Sequence, residues 1–290
     1  RIQRIGLMMK EQTKCSVTQS LTLYNSARKK SSVKKRVLMK TITLPISLEP
    51  QQEFPLIRVG SDRDGGYLID QRLLGSDLLS FGISGDWQFE KDWLALAESK
   101  CRIVTYDGSI GAVKFICTAI ASSFRLNKPA LVFRNWSTLI DYHRFLKAKT
   151  CFHQKFITHS LSDHNHETFL KALQHPGLKH PIFLKMDIEG AEYELLDQIV
   201  QNQDNIAGIA IEFHDPLSNI DVISHFAAEL KLRVTNVHAN NCLPKKNKSN
   251  TEPSIEISFS RYMGIAERKG LPHPLECDND PSCPPLEIRW

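Results

Sequence analysis

Between Asp77 and Tyr262 short, nearly all-apolar runs alternate with longer stretches that mix apolar and charged residues at helical spacing. The apolar runs are DLLSFGIS (77–84), CRIVTYDGS (101–109), QKFITHSLSD (154–163), PIFLKMDIE (181–189), IAGIAIEFHD (206–215), LRVTNVHANN (232–241) and SIEISFSRY (254–262). The stretches between the first six, at 86–99, 110–126, 165–174, 190–200 and 221–231, read as amphipathic helices, with Asn165 as the expected cap of the third. Such alternation restricts the chain to an α/β fold with a mostly parallel sheet. Apolar strand interiors agree with burial on both faces. The last two strands follow one another without a helix, so one strand should run antiparallel near an edge. The expectation is a Rossmann-like, doubly wound, mostly parallel seven-stranded sheet with one antiparallel strand and helices on both faces.

Ahead of this core, PLIRVGSDRDGGYLID (55–70) reads as two strands about the turn Asp64-Gly65-Gly66. Residues 1–40 carry eleven Lys or Arg and one acid, Glu11, a net +10. The whole chain is +5, so the other 250 residues are net −5. We therefore expect residues 1–54 to be a basic, flexible leader and linker, and residues 55–290 to be the α/β domain with a Pro-rich tail. Leu286, Ile288 and Trp290 alternate with polar residues and should pack on that domain. No run of about 18 apolar residues exists, so no membrane span is expected. Seven cysteines without a CxxC pair point to free thiols in a reducing compartment, hence to a cytoplasmic protein.

In doubly wound sheets ligands lie beyond the carboxyl ends of the strands. Polar groups collect there in strand after strand: Gly82, Ser84, Gly85 and Asp86; Asp107; Ser162 and Asp163; Asp187 and Glu189; Glu212 and His214; His238, Asn240 and Asn241. Gly82 and Gly85 permit close approach of a ligand to the backbone. Asp107, 22 residues past Gly85, is placed to accept from ribose hydroxyls. A nicotinamide dinucleotide and S-adenosylmethionine both meet these needs. The first helix, however, opens with Asp86 and carries Glu90, which repels a pyrophosphate and suits an ammonium or sulfonium.

The run FLKMDIEGAEYELL (183–196) closely resembles the signature of the FkbM-type methyltransferases, a branch of the class I S-adenosylmethionine-dependent enzymes. LLSFGISGDWQFE, VTYDGS, GIAIEFHD, VHANN and IEISFSRY follow in the order that family has, so the resemblance covers about residues 56–265. It implies an O-methyltransferase acting on a hydroxyl of a small molecule, a saccharide or glycosylated natural product. It also implies that Gly82 and Gly85 pass beneath the methionine part of the cofactor and that Asp107 holds the ribose. Ser162 and Asp163 would lie beside the adenine, Asp187 would face the transferred methyl group, and Asp64 to Tyr67 would close over the site.

Methyl transfer to an aliphatic hydroxyl needs a group that takes its proton. His214 and His238 are the candidate bases, and Glu212 the residue that orients one of them. Alternatively Asp187, Glu189, Glu212 and His214 hold a divalent cation, Mg or Mn, for which an oxygen-rich set is suited. The other nine histidines, 153 and 175 among them, read as surface or core residues. A second reading is an inactive methyltransferase-fold module tethered to an anionic partner by its basic head. Nucleic acid is the less favoured acceptor, because the body of the chain is net negative and shows no aromatic-plus-basic stripe.

Overall fold

The computed structural model describes residues 18–21, 38–124, 127–161, 163–241, 253–268, 270 and 272–290. Seven strands form the central sheet: β1 (Leu78–Phe81), β2 (Ile103–Tyr106), β3 (Cys151–His153), β4 (Ile182–Met186), β5 (Ile206–Phe213), β6 (Arg233–Ala239) and β7 (Ile255–Ser260). Their order across the sheet is β6-β7-β5-β4-β1-β2-β3. β7 runs antiparallel to both β5 and β6, and the β5-β4-β1-β2-β3 pairings are parallel. This is the expected doubly wound sheet with one reversed strand. The order turns back between β1 and β4, and the carboxyl ends of that pair frame the crevice where such folds bind ligands.

Among the described residues the α-helices of five residues or more are α1 (Gln88–Leu96), α2 (Ala112–Ser123), α3 (Pro129–Asp141), α4 (Phe169–Leu173), α5 (Leu196–Gln201) and α6 (Ile220–Glu229). Alternation along the strands sorts side chains to the two faces. On β4, Ile182, Leu184 and Met186 join a core with Phe169, Ile199 and Phe226. Phe183 points the other way, into a core with Tyr67, Phe89 and Trp93, where the Trp93 and Phe183 rings lie 4.5 Å apart. A third apolar cluster, with Trp87, Phe115, Leu139 and Tyr142, holds α2 and α3 to the turn after β1. Among the described residues no helix is long and apolar enough to cross a membrane.

Four details depart from the sequence reading. The third sheet strand is Cys151–His153, whereas Phe156–Thr158, from the run expected in that place, pairs with His166–Thr168 in a separate two-stranded sheet. The helix expected over 165–174 is α4, which starts at Phe169, and Thr168 rather than Asn165 caps it by accepting from the Lys171 N–H. Residues 129–141, between the expected helix at 110–126 and the run at 154–163 and assigned no element from sequence, form α3, with Pro129 at its first turn, and a π turn at Tyr142–Leu146 follows. The segment 41–54, expected as linker, is part of the domain. Leu38–Thr43 pairs in parallel with Leu286–Arg289, and Ile42, Leu44 and Leu48 are at most 2% exposed in the main core. The ordered C-terminal strand, expected from its alternation, is what makes that packing available. Of the basic leader, Thr18–Leu21 pairs antiparallel with Leu38–Thr43, and residues 1–17 and 22–37 lie outside the described residues.

Candidate functional site

At the end of β1 the backbone turns left-handed at Gly82, whose φ is +70°. A Cβ there would fall 1.6 Å from the Asp187 carbonyl oxygen, so glycine is what lets the ends of β1 and β4 meet. Asp107, at the end of β2, is buried. Its Oδ2 accepts from the N–H groups of Ile83 (3.0 Å) and Ser84 (2.7 Å), and its Oδ1 accepts from Ser109 N–H (2.7 Å). One carboxylate thus shapes the turns after both β1 and β2. This explains how Ser84, a non-glycine residue, is held at φ +47°.

These turns border a cavity of about 530 Å³, in the range of small-molecule sites. Gly82, Ser84, Asp107, Asp187 and Glu189 are in its wall, as is Phe156, a residue the sequence reading did not single out. A Cβ on Gly108 would come within 2.3 Å of the Phe156 ring, so Gly108, directly after Asp107, was the available signal for an aromatic seated on that turn. Gly85 is not in this wall; it borders a separate groove between α1 and α3. Asp163 is exposed and serves its own turn, accepting from Asn165 N–H at 2.7 Å and pairing with His166 Nδ1 at 2.6 Å. Ser162 lies outside the described residues.

Beside the cavity the ends of β4, β5 and β7 bring acids together. His214 Nε2 is 3.9 Å from both Asp187 Oδ1 and Glu189 Oε2, and its Nδ1 is 3.1 Å from Glu192 Oε1. Glu192 is fully buried and also accepts from the N–H groups of His214 (2.7 Å) and Gly190 (2.8 Å). Burial pulls the imidazole toward the neutral form. The hydrogen bond and charge of Glu192, with Glu212 and Asp187 behind it, outweigh this and hold His214 up at about 9. Burial raises Asp187, against the opposing pull of Lys185 and His214.

Glu212, Glu256 and Asp64 have carboxylate oxygens all within 4.8 Å of one another. The set proposed from sequence for a cation, Asp187, Glu189, Glu212 and His214, is therefore divided: Glu212 joins Asp64 and Glu256, while Asp187 and Glu189 face His214. Neutral donors line the trio. Asn240 Nδ2 donates to Asp64 (3.0 Å) and Glu212 (3.1 Å), Asn279 Nδ2 donates to Glu256 (2.8 Å), and Tyr67 Oη and Ser254 Oγ donate to Glu212. Burial, then the charges of Asp187 and Glu256, push Glu212 up to about 8. Burial likewise raises Glu256 to about 7, even with His238 and Asn279 opposing it. Like charges this close cannot all ionise without a counter-charge, so the trio retains a proton or takes up a cation.

His238 is not part of this row in the manner expected. Its Nδ1 faces Glu276 Oε2 at 2.7 Å and its Nε2 faces Asn279 Oδ1 at 2.6 Å. Burial opposes its charge, but Glu276 and Glu256 hold it up at about 9. Both ring nitrogens are thus engaged by partners in the C-terminal segment. His238 ties β6 to the C-terminal segment.

Residues 141–235 match the family model described as the methyltransferase FkbM domain, which bears out over that segment the resemblance read from the 183–196 run. None of the curated proteins matches the chain. Among solved structures the chain is similar to a candidate RNA methyltransferase from Pyrococcus horikoshii, at 11% identity and TM-score 0.38, covering 66% of this chain and 77% of that one. It is also similar to a precorrin-6y C5,15-methyltransferase from Geobacter metallireducens, at 10% identity and TM-score 0.32, covering 64% and 80%. A third is the tRNA (uracil-54, C5)-methyltransferase of Pyrococcus abyssi in complex with S-adenosyl-L-homocysteine, at 12% identity and TM-score 0.29, covering 70% and 43%. Likenesses of this size carry no functional weight of their own.

Proposed function

We propose, for a chain whose residues 141–235 match the FkbM methyltransferase domain, that it is an S-adenosylmethionine-dependent O-methyltransferase acting on a hydroxyl of a small, carbohydrate-related molecule. The observation that carries this reading is the cavity between β1, β2 and β4, which has the Gly82 turn and Asp107 on one side and Asp187, Glu189 and Glu194 on the other. Its donor set fits the cofactor: apolar Phe156 and Ile157 for a base, and carboxylates for a ligand bearing an ammonium and a sulfonium. Gly82 would pass beneath its methionine part, Asp107 would hold its ribose, and Asp187 would face the sulfonium. When bound, the cofactor supplies an electrophilic methyl group.

The chain's own task is then to place the acceptor and take its proton. His214 is the group we assign, since its Nε2 faces Asp187 at 3.9 Å beside the cavity wall. Neutral His214 would accept the hydroxyl proton at Nε2, and the methyl group taken by the acceptor oxygen would come from the cofactor's sulfonium, whose S–CH3 bond breaks to leave a neutral thioether. The imidazolium so formed is the state that Glu192, at 3.1 Å from Nδ1, stabilises. Glu212 acts on His214 only through its charge. A cytoplasmic setting goes with the free thiols of Cys101, Cys117, Cys151 and Cys277.

Calorimetric titration with S-adenosylmethionine, with NAD as control ligand, tests the cofactor. We expect saturable binding of the first alone and a weakening of about tenfold or more in Asp187→Asn, by loss of a carboxylate facing a cation. Folded protein that binds neither ligand, with or without acceptor, would overturn the reading. An acceptor screen that includes saccharides and RNA decides between small-molecule and nucleic-acid substrates.

A further inference from the structure

On the far edge of the sheet, Cys151 and His153 stand two residues apart on β3, so both side chains leave the strand on the same face. His175 comes to them from the turn that follows α4, where Leu178 N–H donates to the His175 carbonyl at 2.9 Å. His153 Nε2 and His175 Nε2 are 3.3 Å apart, and Cys151 Sγ is 3.4 Å from the first and 3.7 Å from the second. A tetrahedral Zn²⁺ with nitrogens at about 2.0–2.1 Å and sulfur at about 2.3 Å separates nitrogen from nitrogen by roughly 3.3–3.4 Å and nitrogen from sulfur by roughly 3.6 Å. The three donor atoms therefore already stand near the corners of one face of such a tetrahedron.

We propose that Cys151, His153 and His175 form a three-ligand site for a zinc-like transition-metal ion, with the fourth position open to solvent. One thiolate and two imidazoles favour Zn²⁺ over the hard cations that suit the acid trio. The ligands are also oriented from behind. The His153 ring lies flat on Tyr106, with centroids 4.6 Å apart and planes at 14°. Gly177 leaves room for His175, since a Cβ there would come within 2.9 Å of its Nδ1. One contact must change on loading: Gly177 N–H donates to His175 Nδ1 at 3.0 Å, and a metal on Nε2 moves the ring proton to Nδ1. That hydrogen bond is exchanged for a coordinate bond. The site also bears on the cavity. The His153 carbonyl accepts from Asp107 N–H at 3.1 Å and Lys155 N–H at 2.9 Å, and Asp107 and Lys155 are both cavity-wall residues. The metal site itself does not rest on the methyl-transfer reading.

The test uses the full chain, free of affinity tag and stripped of metal, titrated with Co²⁺ while the thiolate-to-cobalt charge-transfer absorption is followed. We expect the band to saturate at one equivalent, to be displaced by Zn²⁺, and to vanish in Cys151→Ser. Affinity should fall about tenfold or more in His175→Ala, and Glu256→Gln, in the acid trio, should leave the band unchanged. In wild-type protein, which needs no variant, Zn²⁺ should protect Cys151 from alkylation, read by mass spectrometry of its peptide. A missing band, a band that survives Cys151→Ser, or Cys151 alkylated equally with and without Zn²⁺ would overturn the site.

Discussion

The Asp187 carbonyl oxygen fills the space that a side chain at Gly82 would need. The two strands are joined just before that point: Asp187 N–H donates to the Phe81 carbonyl at 3.1 Å. The backbone crossing of β1 and β4 is therefore closed by a glycine, and the acid at the end of β4 is positioned by it.

Gly82→Ala should lose at least ~2 kcal/mol of stability, from the left-handed φ and the 1.6 Å overlap together. Gly85→Ala, with no heavy atom within 4 Å of its Cβ, should stay within about 0.5 kcal/mol of wild type. Urea unfolding of the two variants checks the contrast; equal effects would mean that the strand ends do not approach as described.

Leu48 is fully buried in the main core, seven residues before the point where the sequence reading began the domain. Leu48→Ala should cost about 2–5 kcal/mol in the same measurement. A neutral effect would return residues 41–54 to the status of a linker.

Stability should fall as pH rises from about 5 to above 9. Glu256, at about 7 in the fold against 4.5 as its ordinary value, binds more protons folded than unfolded in that window, so raising the pH favours unfolding. Glu212, at about 8, acts with the same sign. His214 and His238, held at about 9 against 6.5, contribute stability that is fully present below about 6.5 and is lost as pH rises through about 9. Glu256→Gln should flatten the fall of the thermal midpoint, most of all between pH 5 and 7. A midpoint that climbs across this range would contradict the protonation states assigned to the acid trio.

If His214 is the base, methyl transfer at saturating substrates should increase with pH up to about 9, as the imidazole loses its proton. Glu192→Gln removes the charge that most raises His214, so the rise should move to lower pH by about one unit. A pH profile identical in wild type and Glu192→Gln would remove His214 from the role.

Apart from β3 and α3, the alternation of strands and helices, the single reversed strand, and the placing of Gly82, Asp107 and Asp187 at strand ends were legible in the sequence. Each follows from period-2 or period-3.6 patterns and from turn residues that act within a few positions of one another. What the tertiary structure decided involves pairs far apart in the chain. Strand β3 has only three residues, two of them Cys151 and His153, and becomes a strand through its pairing with β2. Leu38–Thr43 is ordered by the C-terminal strand some 250 positions away. Glu212 meets Glu256 because β5 and β7 pair in that register, and the same ladder sets His238 opposite Glu256 while Glu276 and Asn279 come to its ring from the tail. Sequence spacing carries local backbone preference. It does not carry which side chains share one desolvated space, and that sharing sets the His238 ring between Glu276 and Asn279 and brings Glu212 together with Asp64.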